Sequence, residues 1–175
     1  MGRSDPGGMA PTRFLGIAAG IVALDYWTKA IAVERLAPAY VPHPLWGEGV
    51  RLTLVYNPGA AFGLHLGPWS RWIFMALTIV AVITMWRFYR GSEPAARARV
   101  WALCLVTGGA LGNLIDRIRS ARGVVDFLDV GVGAWRWPTF NVADIAVSTG
   151  AILLALVLWR EEEERVAPAE PTSPT

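Results

Sequence analysis

The 175-residue chain has one cysteine and two histidines. Cys104 sits in an apolar run and has no partner for an intrachain disulfide. His43 and His65 lie in a connecting region without ligand spacing, so neither a disulfide scaffold nor a metal site is expected. Charge is also scarce, at 17% of residues, where a soluble domain carries about 25%. So few charges do not cover a water-facing surface. No run of Lys or Arg occurs and the net charge is only +2, which argues against a nucleic-acid partner. Serine nucleophile chemistry lacks its usual signs. There is no GxSxG, and Ser70, Ser92, Ser120 and Ser148 have no histidine base at a suggestive position. A Ser–Lys dyad of Lys29 with Ser70 or Ser120 has little to support it.

What the chain does have is apolar bulk: 54% hydrophobic residues and nine Trp. Tryptophan concentrates at membrane–water interfaces, and a spanning helix needs about 20 mostly apolar residues. Four segments approach that length: Phe14–Val33, Trp69–Tyr89, Val100–Ile118 and Val142–Trp159. The first also resembles a signal peptide, but Asp25 and Lys29 precede its conceivable cleavage site at Ala30-Ile31-Ala32, so it reads as a retained span. The expected fold is an all-α integral membrane protein of four transmembrane helices. A small β element is expected in the first extracytoplasmic connector, where Val50–Tyr56 alternates like a strand before the turn signal Asn57-Pro58-Gly59. Val124–Val130, in the connector after the third span, also looks extended. The domain reading is an N-terminal extension at 1–13, a four-span domain at 14–160 and a disordered tail at 161–175.

Lys and Arg near the span ends divide eight against eight between the two sides. The set at the N-terminus, the second connector and the C-terminus is packed into shorter segments, which mildly favours that side as cytoplasmic. The polar residues within the spans are more informative. Asp25 and Lys29 lie late in the first span, Asn113, Asp116 and Arg117 late in the third, and Asn141 and Asp144 open the fourth. Alternating helix direction brings all of them to one membrane face, together with both long connectors. Ionisable groups in a bilayer are costly and mark functional sites.

Asp25 and Lys29, four residues apart, share a helix face and form an ion pair that lets both enter lipid. Gly108 and Gly112 have the spacing of helix packing. Asn141 has the position of a helix cap. Five carboxylates (Asp25, Asp116, Asp126, Asp129 and Asp144) gather in this region, and any close pair would hold one proton near neutral pH. Such a pair can activate a water with one member and polarise a carbonyl with the other. Spacing does not choose which two. The same carboxylates would also serve a small proton-coupled transporter, although no inverted repeat is visible.

Five segments in this order resemble the lipoprotein signal peptidases, the signal peptidase II family of bacterial aspartyl proteases. They are Asp25-Tyr26-Trp27-Thr28-Lys29, Asn57-Pro58-Gly59-Ala60-Ala61-Phe62, Gly112-Asn113-Leu114-Ile115-Asp116-Arg117, Val124-Val125-Asp126-Phe127 and Phe140-Asn141-Val142-Ala143-Asp144. The resemblance implies that Asp126 and Asp144 are the catalytic aspartates. It implies that Asn57, Asn113, Arg117 and Asn141 support them, and that Asp25 and Lys29 are a structural pair. It further implies an endopeptidase without metal or cofactor. Its substrates would be diacylglyceryl-modified prolipoproteins, cut before the lipidated cysteine among the lipids of the bacterial inner membrane. The site would lie near the outer face, with both termini cytoplasmic. The region from Val50 to Phe62 is expected to hold the signal peptide by backbone pairing.

Overall fold

The computed structural model describes residues 9–59, 66–93 and 96–166. Among these, four helices are long and apolar enough to cross a membrane. They are α1 (Pro11–Arg35), α2 (Ser70–Arg90, preceded by a 3-10 turn at Gly67–Trp69), α3 (Arg97–Arg119) and α4 (Val142–Val166). Each extends beyond its apolar stretch into flanking polar residues. Residues 161–166, expected as the start of a disordered tail, continue α4. Glutamates propagate a helix readily; Glu161 pairs with Arg99 of α3, and Glu162 accepts from Arg165 three residues on. The remainder of that tail, most of the N-terminal extension and the last three residues of the Asn57–Phe62 motif lie outside the described residues.

α3 is the centre of the bundle and packs against the other three helices. Half of its most apolar window is buried in the protein, against 6% for α2. Small residues make this possible. A Cβ at Gly108 would fall 2.8 Å from the Ile21 Cβ of α1, and one at Gly112 would fall 2.6 Å from the Asp25 carboxylate. Gly109 faces Ala143 and Val147 of α4, and Gly150 of α4 faces Ala102 of α3. Close backbone approach through small residues is how helices associate in lipid, where apolar side chains gain little by leaving the solvent. At the end of the bundle away from the sheet, Phe14 stacks on Tyr89 at 4.2 Å, over Val100, Leu103 and the buried Cys104.

The other end carries a four-stranded antiparallel sheet in the order β1-β2-β3-β4: β1 Pro42–Trp46, β2 Val50–Asn57, β3 Val124–Val132 and β4 Trp135–Arg136. The β element is therefore not confined to the first connector. Two of its strands come from the connector between α3 and α4, and β2 pairs with β3 across the molecule, Asn57 opposite Val124 and Val55 opposite Asp126. Alternation along β3 sorts its side chains. Val125 and Phe127 pack with Leu54 against Ala32 and Leu36 at the end of α1, which puts Asp126 on the opposite face.

β1 covers one edge of β2 only from Val50 to Thr53, and the Tyr40 N–H bonds the Leu54 carbonyl at 2.8 Å. Backbone pairing along the whole of Val50–Phe62 is thus ruled out for the first part of β2, an interior strand. From Val55 to Asn57 the strand pairs, among the described residues, with β3 alone. After β4 the chain returns to β3, where Leu128 and Phe140 exchange backbone hydrogen bonds at 2.8 and 3.0 Å. That bridge delivers Asn141 beside Asp126 and sets the start of α4.

Candidate active site

Asp126 enters from β3 and Asp144 from the first turn of α4, and both line one cavity of about 750 Å³. Asn141 joins them. Its side-chain amide donates to Asp126 Oδ1 at 2.7 Å, and its backbone N–H donates to Asp144 Oδ2 at 3.1 Å. Asn141 Oδ1 in turn accepts from the Asp144 N–H at 2.9 Å, which makes a reciprocal cap of the α4 N-terminus. The expected capping role of Asn141 and its expected place beside the aspartates are therefore the same set of bonds.

The two remaining oxygens are held by asparagines from other elements. Asn57, diagonal to Asp126 across the β2–β3 ladder, donates to Asp126 Oδ2 at 3.1 Å. Asn113 of α3 donates to Asp144 Oδ1 at 2.8 Å. All four carboxylate oxygens of the pair thus accept from amide N–H groups. Asp126 is 2% exposed, and its carboxyl pKa is pushed up to about 7. Burial is the main cause and the charge of Asp144 adds to it, outweighing the Asn57 and Asn141 donors that favour the anion.

Behind the pair lies a second cluster, centred on Lys29. Its ammonium meets Asp25 Oδ2 at 2.7 Å, Asp116 Oδ2 at 2.9 Å and Asn113 Oδ1 at 2.9 Å, so each of its three protons has an acceptor. The expected Asp25–Lys29 pair is present, but sequence reasoning missed that Asp116 is its third member. The i,i+3 spacing of Asn113 and Asp116 was the available signal, because both now point at Lys29. Asp25 Oδ1 accepts the Ala143 N–H at 2.9 Å, tying α1 to α4. Asp116 Oδ2 accepts the Val125 N–H at 3.1 Å, tying α3 to β3. Asn113 touches both clusters and transmits the position of Lys29 to Asp144.

Arg117 lies on the cavity wall in the field of Asp144, Asp126 and Asp116. It donates to the Gly59 carbonyl at 3.0 Å, and Phe74 lies under its guanidinium at 5.7 Å. Arg71 of α2, also missed, donates to the carbonyls of Arg117 and Ile118 at 2.6 and 3.0 Å, closing the end of α3. Asp129 does not join the site. Three residues along a strand from Asp126, it points to the opposite face and is held by Arg51 at 3.0 Å, Thr53 at 2.9 Å and Arg136 at 2.6 Å. Although burial opposes it, these donors, Arg136 first, hold the Asp129 carboxyl below its usual range. Among the described residues no group of His, Cys, Asp and Glu has the arrangement of a metal site.

Four membrane-length helices roofed by a sheet over buried carboxylates make up an architecture that membrane enzymes share. Two solved bacterial membrane enzyme structures, obtained by the in meso method at 2.3 and 1.9 Å resolution, share the fold. The first has a TM-score of 0.79 and 27% identity, covering 91% of this chain and 94% of that one. The second has a TM-score of 0.73 and 29% identity, covering 85% and 93%. The profile of the family described as signal peptidase (SPase) II matches residues 17–160. The lipoprotein signal peptidase of Burkholderia mallei (strain SAVP1) is 42% identical over 156 residues, 88% of this chain and 90% of that protein. That of Paraburkholderia phytofirmans is 41% identical over 152 residues, 86% and 85%. The chain belongs to the signal peptidase II family and is a membrane protease of lipoprotein processing. The transporter alternative falls with that membership.

Proposed function

We propose that this protein removes the signal peptide from diacylglyceryl-modified prolipoproteins, cutting before the lipidated cysteine, with Asp126 and Asp144 as the catalytic pair. The observation that carries this reading is the double bridge of Asn141, which holds a buried strand aspartate and a helix-cap aspartate on one cavity wall. Asp126, with its raised pKa, keeps the shared proton and donates it to the scissile carbonyl oxygen. Asp144 takes a proton from water, and the water oxygen bonds to the carbonyl carbon. The resulting gem-diol collapses as its C–N bond breaks: the departing cysteine nitrogen takes the proton held by Asp144, and a diol hydroxyl returns its proton to Asp126. No bond to the enzyme forms. Arg117 and the three asparagines fix the carboxylates and offset charge, as preorganised donors do. The edge of β2 from Val55 to Asn57, which no other strand among the described residues covers, borders the cavity and pairs with the extended backbone around the cleavage site. No metal or cofactor takes part.

The test is incubation of the purified protein with a lipidated precursor, following signal-peptide release by mass, alongside the same precursor without its lipid. Release from the first and not the second is expected; no release from either would refute the reading. The same assay run against pH tests the proton assignment. Asp126 is protonated below about pH 7 and ionised above it, so kcat/KM is expected to fall as pH rises through that value. A rate that climbs steadily to pH 9 would contradict an acid role for Asp126.

In this reading the protein lies in the bacterial inner membrane, with the sheet at the outer face and both termini cytoplasmic. Trp46, at the β1–β2 turn, is 83% exposed. A cysteine replacing it in a Cys104→Ala background should react with a membrane-impermeant maleimide added outside spheroplasts. Labelling only after the cytoplasmic face is opened would invert the topology.

A further inference from the structure

Below the aspartate pair the cavity continues along α4, where Asp144, Ser148 and Ile152 follow one another at four-residue intervals and Thr149 lies beside them. At the helical rise this wall descends about 12 Å from Asp144 to Ile152, into the span. Ser148, Thr149 and Ile152 are exposed there, so the wall faces what enters from the bilayer side.

Two hydroxyls on such a face are costly unless they have partners. Thr28, Thr78 and Thr84 satisfy theirs within the helix, each donating to the carbonyl four residues back, at 3.0, 2.7 and 2.9 Å. Ser92 does the same at the end of α2, whereas the Thr107 hydroxyl of α3 is buried without a partner among the described residues. Ser148 and Thr149, among the described residues, make no such bond. They keep their hydrogen-bonding capacity for something in the cavity.

The substrate supplies the complementary need. A signal peptide crosses lipid as a helix, with every backbone group bonded internally. To bring one peptide bond to an aspartate pair, the last turn before that bond must unwind. Unwinding strips carbonyl and N–H groups of their partners at a depth where no water replaces them, at a cost of several kcal/mol for each group. We propose that Ser148 and Thr149 are substrate-binding residues that hydrogen-bond this unwound backbone on the signal-peptide side of the scissile bond. Ser148 lies one helical turn below Asp144, the distance at which the residues before the cleavage point pass. Hydroxyls suit the task because they donate and accept and bond the main chain, whatever the signal-peptide side chains. The assignment rests on the peptidase reading above.

The test compares Ser148→Ala/Thr149→Val with the unsubstituted protein on a lipidated precursor. The expected result is a KM raised about tenfold, the loss of two neutral hydrogen bonds, with kcat little changed because the contacts hold ground state and transition state alike. Folded yield and thermal unfolding should be unaffected, since the lost hydroxyls bond nothing in the free protein. Thr149→Ser, which keeps the hydroxyl, should retain the original KM. Thr84→Val, which removes a hydroxyl bonded within α2, should change neither parameter. An unaltered KM in the double variant would overturn the assignment while leaving the peptidase reading intact. A KM raised equally by Thr149→Ser would overturn it too, by tracing the effect to the lost methyl group. Absence of cleavage by the unsubstituted protein would instead remove the reading on which the assignment rests.

Discussion

Asp126→Asn and Asp144→Asn are each expected to lower turnover of a lipidated precursor by about 10²–10⁴-fold, the usual contribution of a general acid or base. Asparagine keeps the size and much of the hydrogen-bonding shape, so the precursor should still bind. Both variants disturb one amide donor. At Asp126 both oxygens accept from asparagine amides, and the substitution turns an NH₂ group toward one of those donors. At Asp144 an asparagine carbonyl can keep the bond from the Asn141 N–H, but the new NH₂ group then faces the Asn113 amide that donates to the other oxygen. In the proposed mechanism the pair works on one water, so the double variant should be little slower than either single one. Asp129→Asn is the control for chemistry. It loses charge opposite Arg51 and Arg136, so stability should fall, but turnover per folded molecule should not. Rates and precursor binding measured on all four variants decide the matter, and near-normal turnover by either single variant would move the chemistry to other residues.

Lys29→Met has the largest expected effect on stability. Methionine matches the length and apolar stem of lysine, but leaves Asp25 and Asp116 facing each other without their shared cation. Removing one partner of a buried ionic cluster costs about 3–5 kcal/mol, and here the lysine side chain is 4% exposed. Folded yield and thermal unfolding in detergent micelles measure the loss. Asp25→Asn should cost less. Lys29 retains Asp116, and the new amide oxygen still accepts from Ala143. If Lys29→Met unfolds at the temperature of the unsubstituted protein, the cluster is not what joins α1, α3 and α4.

The four helices were legible because a bilayer imposes a length of apolar chain that 20 consecutive residues display openly. The sheet was only half legible. Alternation marked Val50–Tyr56 and Val124–Val130 as extended, but a strand does not name its partner, and β2 and β3 are separated by the whole of α2 and α3. The same limit applied to charges. An i,i+4 relation exposed Asp25–Lys29, whereas Asp116 joins that pair from another helix. Asp126 and Asp129 looked alike as acids in one connector; pleat parity separates them, and that became decisive only once β2 and the end of α1 gave the strand a buried face. Family resemblance selected Asp126 and Asp144 where spacing left five carboxylates open. Ser148 looked like one more serine without a base, since its environment depends on a cavity that no local pattern encodes.

The Asn141 bridge also bears on biogenesis. A nascent chain that has reached Phe140 has made Asp126 but none of the groups that complete its surroundings from the fourth helix. Asn141, Ala143 and Asp144 emerge together, and the bonds they form are those that dock that helix on Asp25 and Asn113. If Asp126 and Asp144 are the catalytic pair, the bonds that complete the site are the bonds that complete the bundle. On the proposed reading, a chain inserted only as far as Phe140 lacks Asp144 and has no activity.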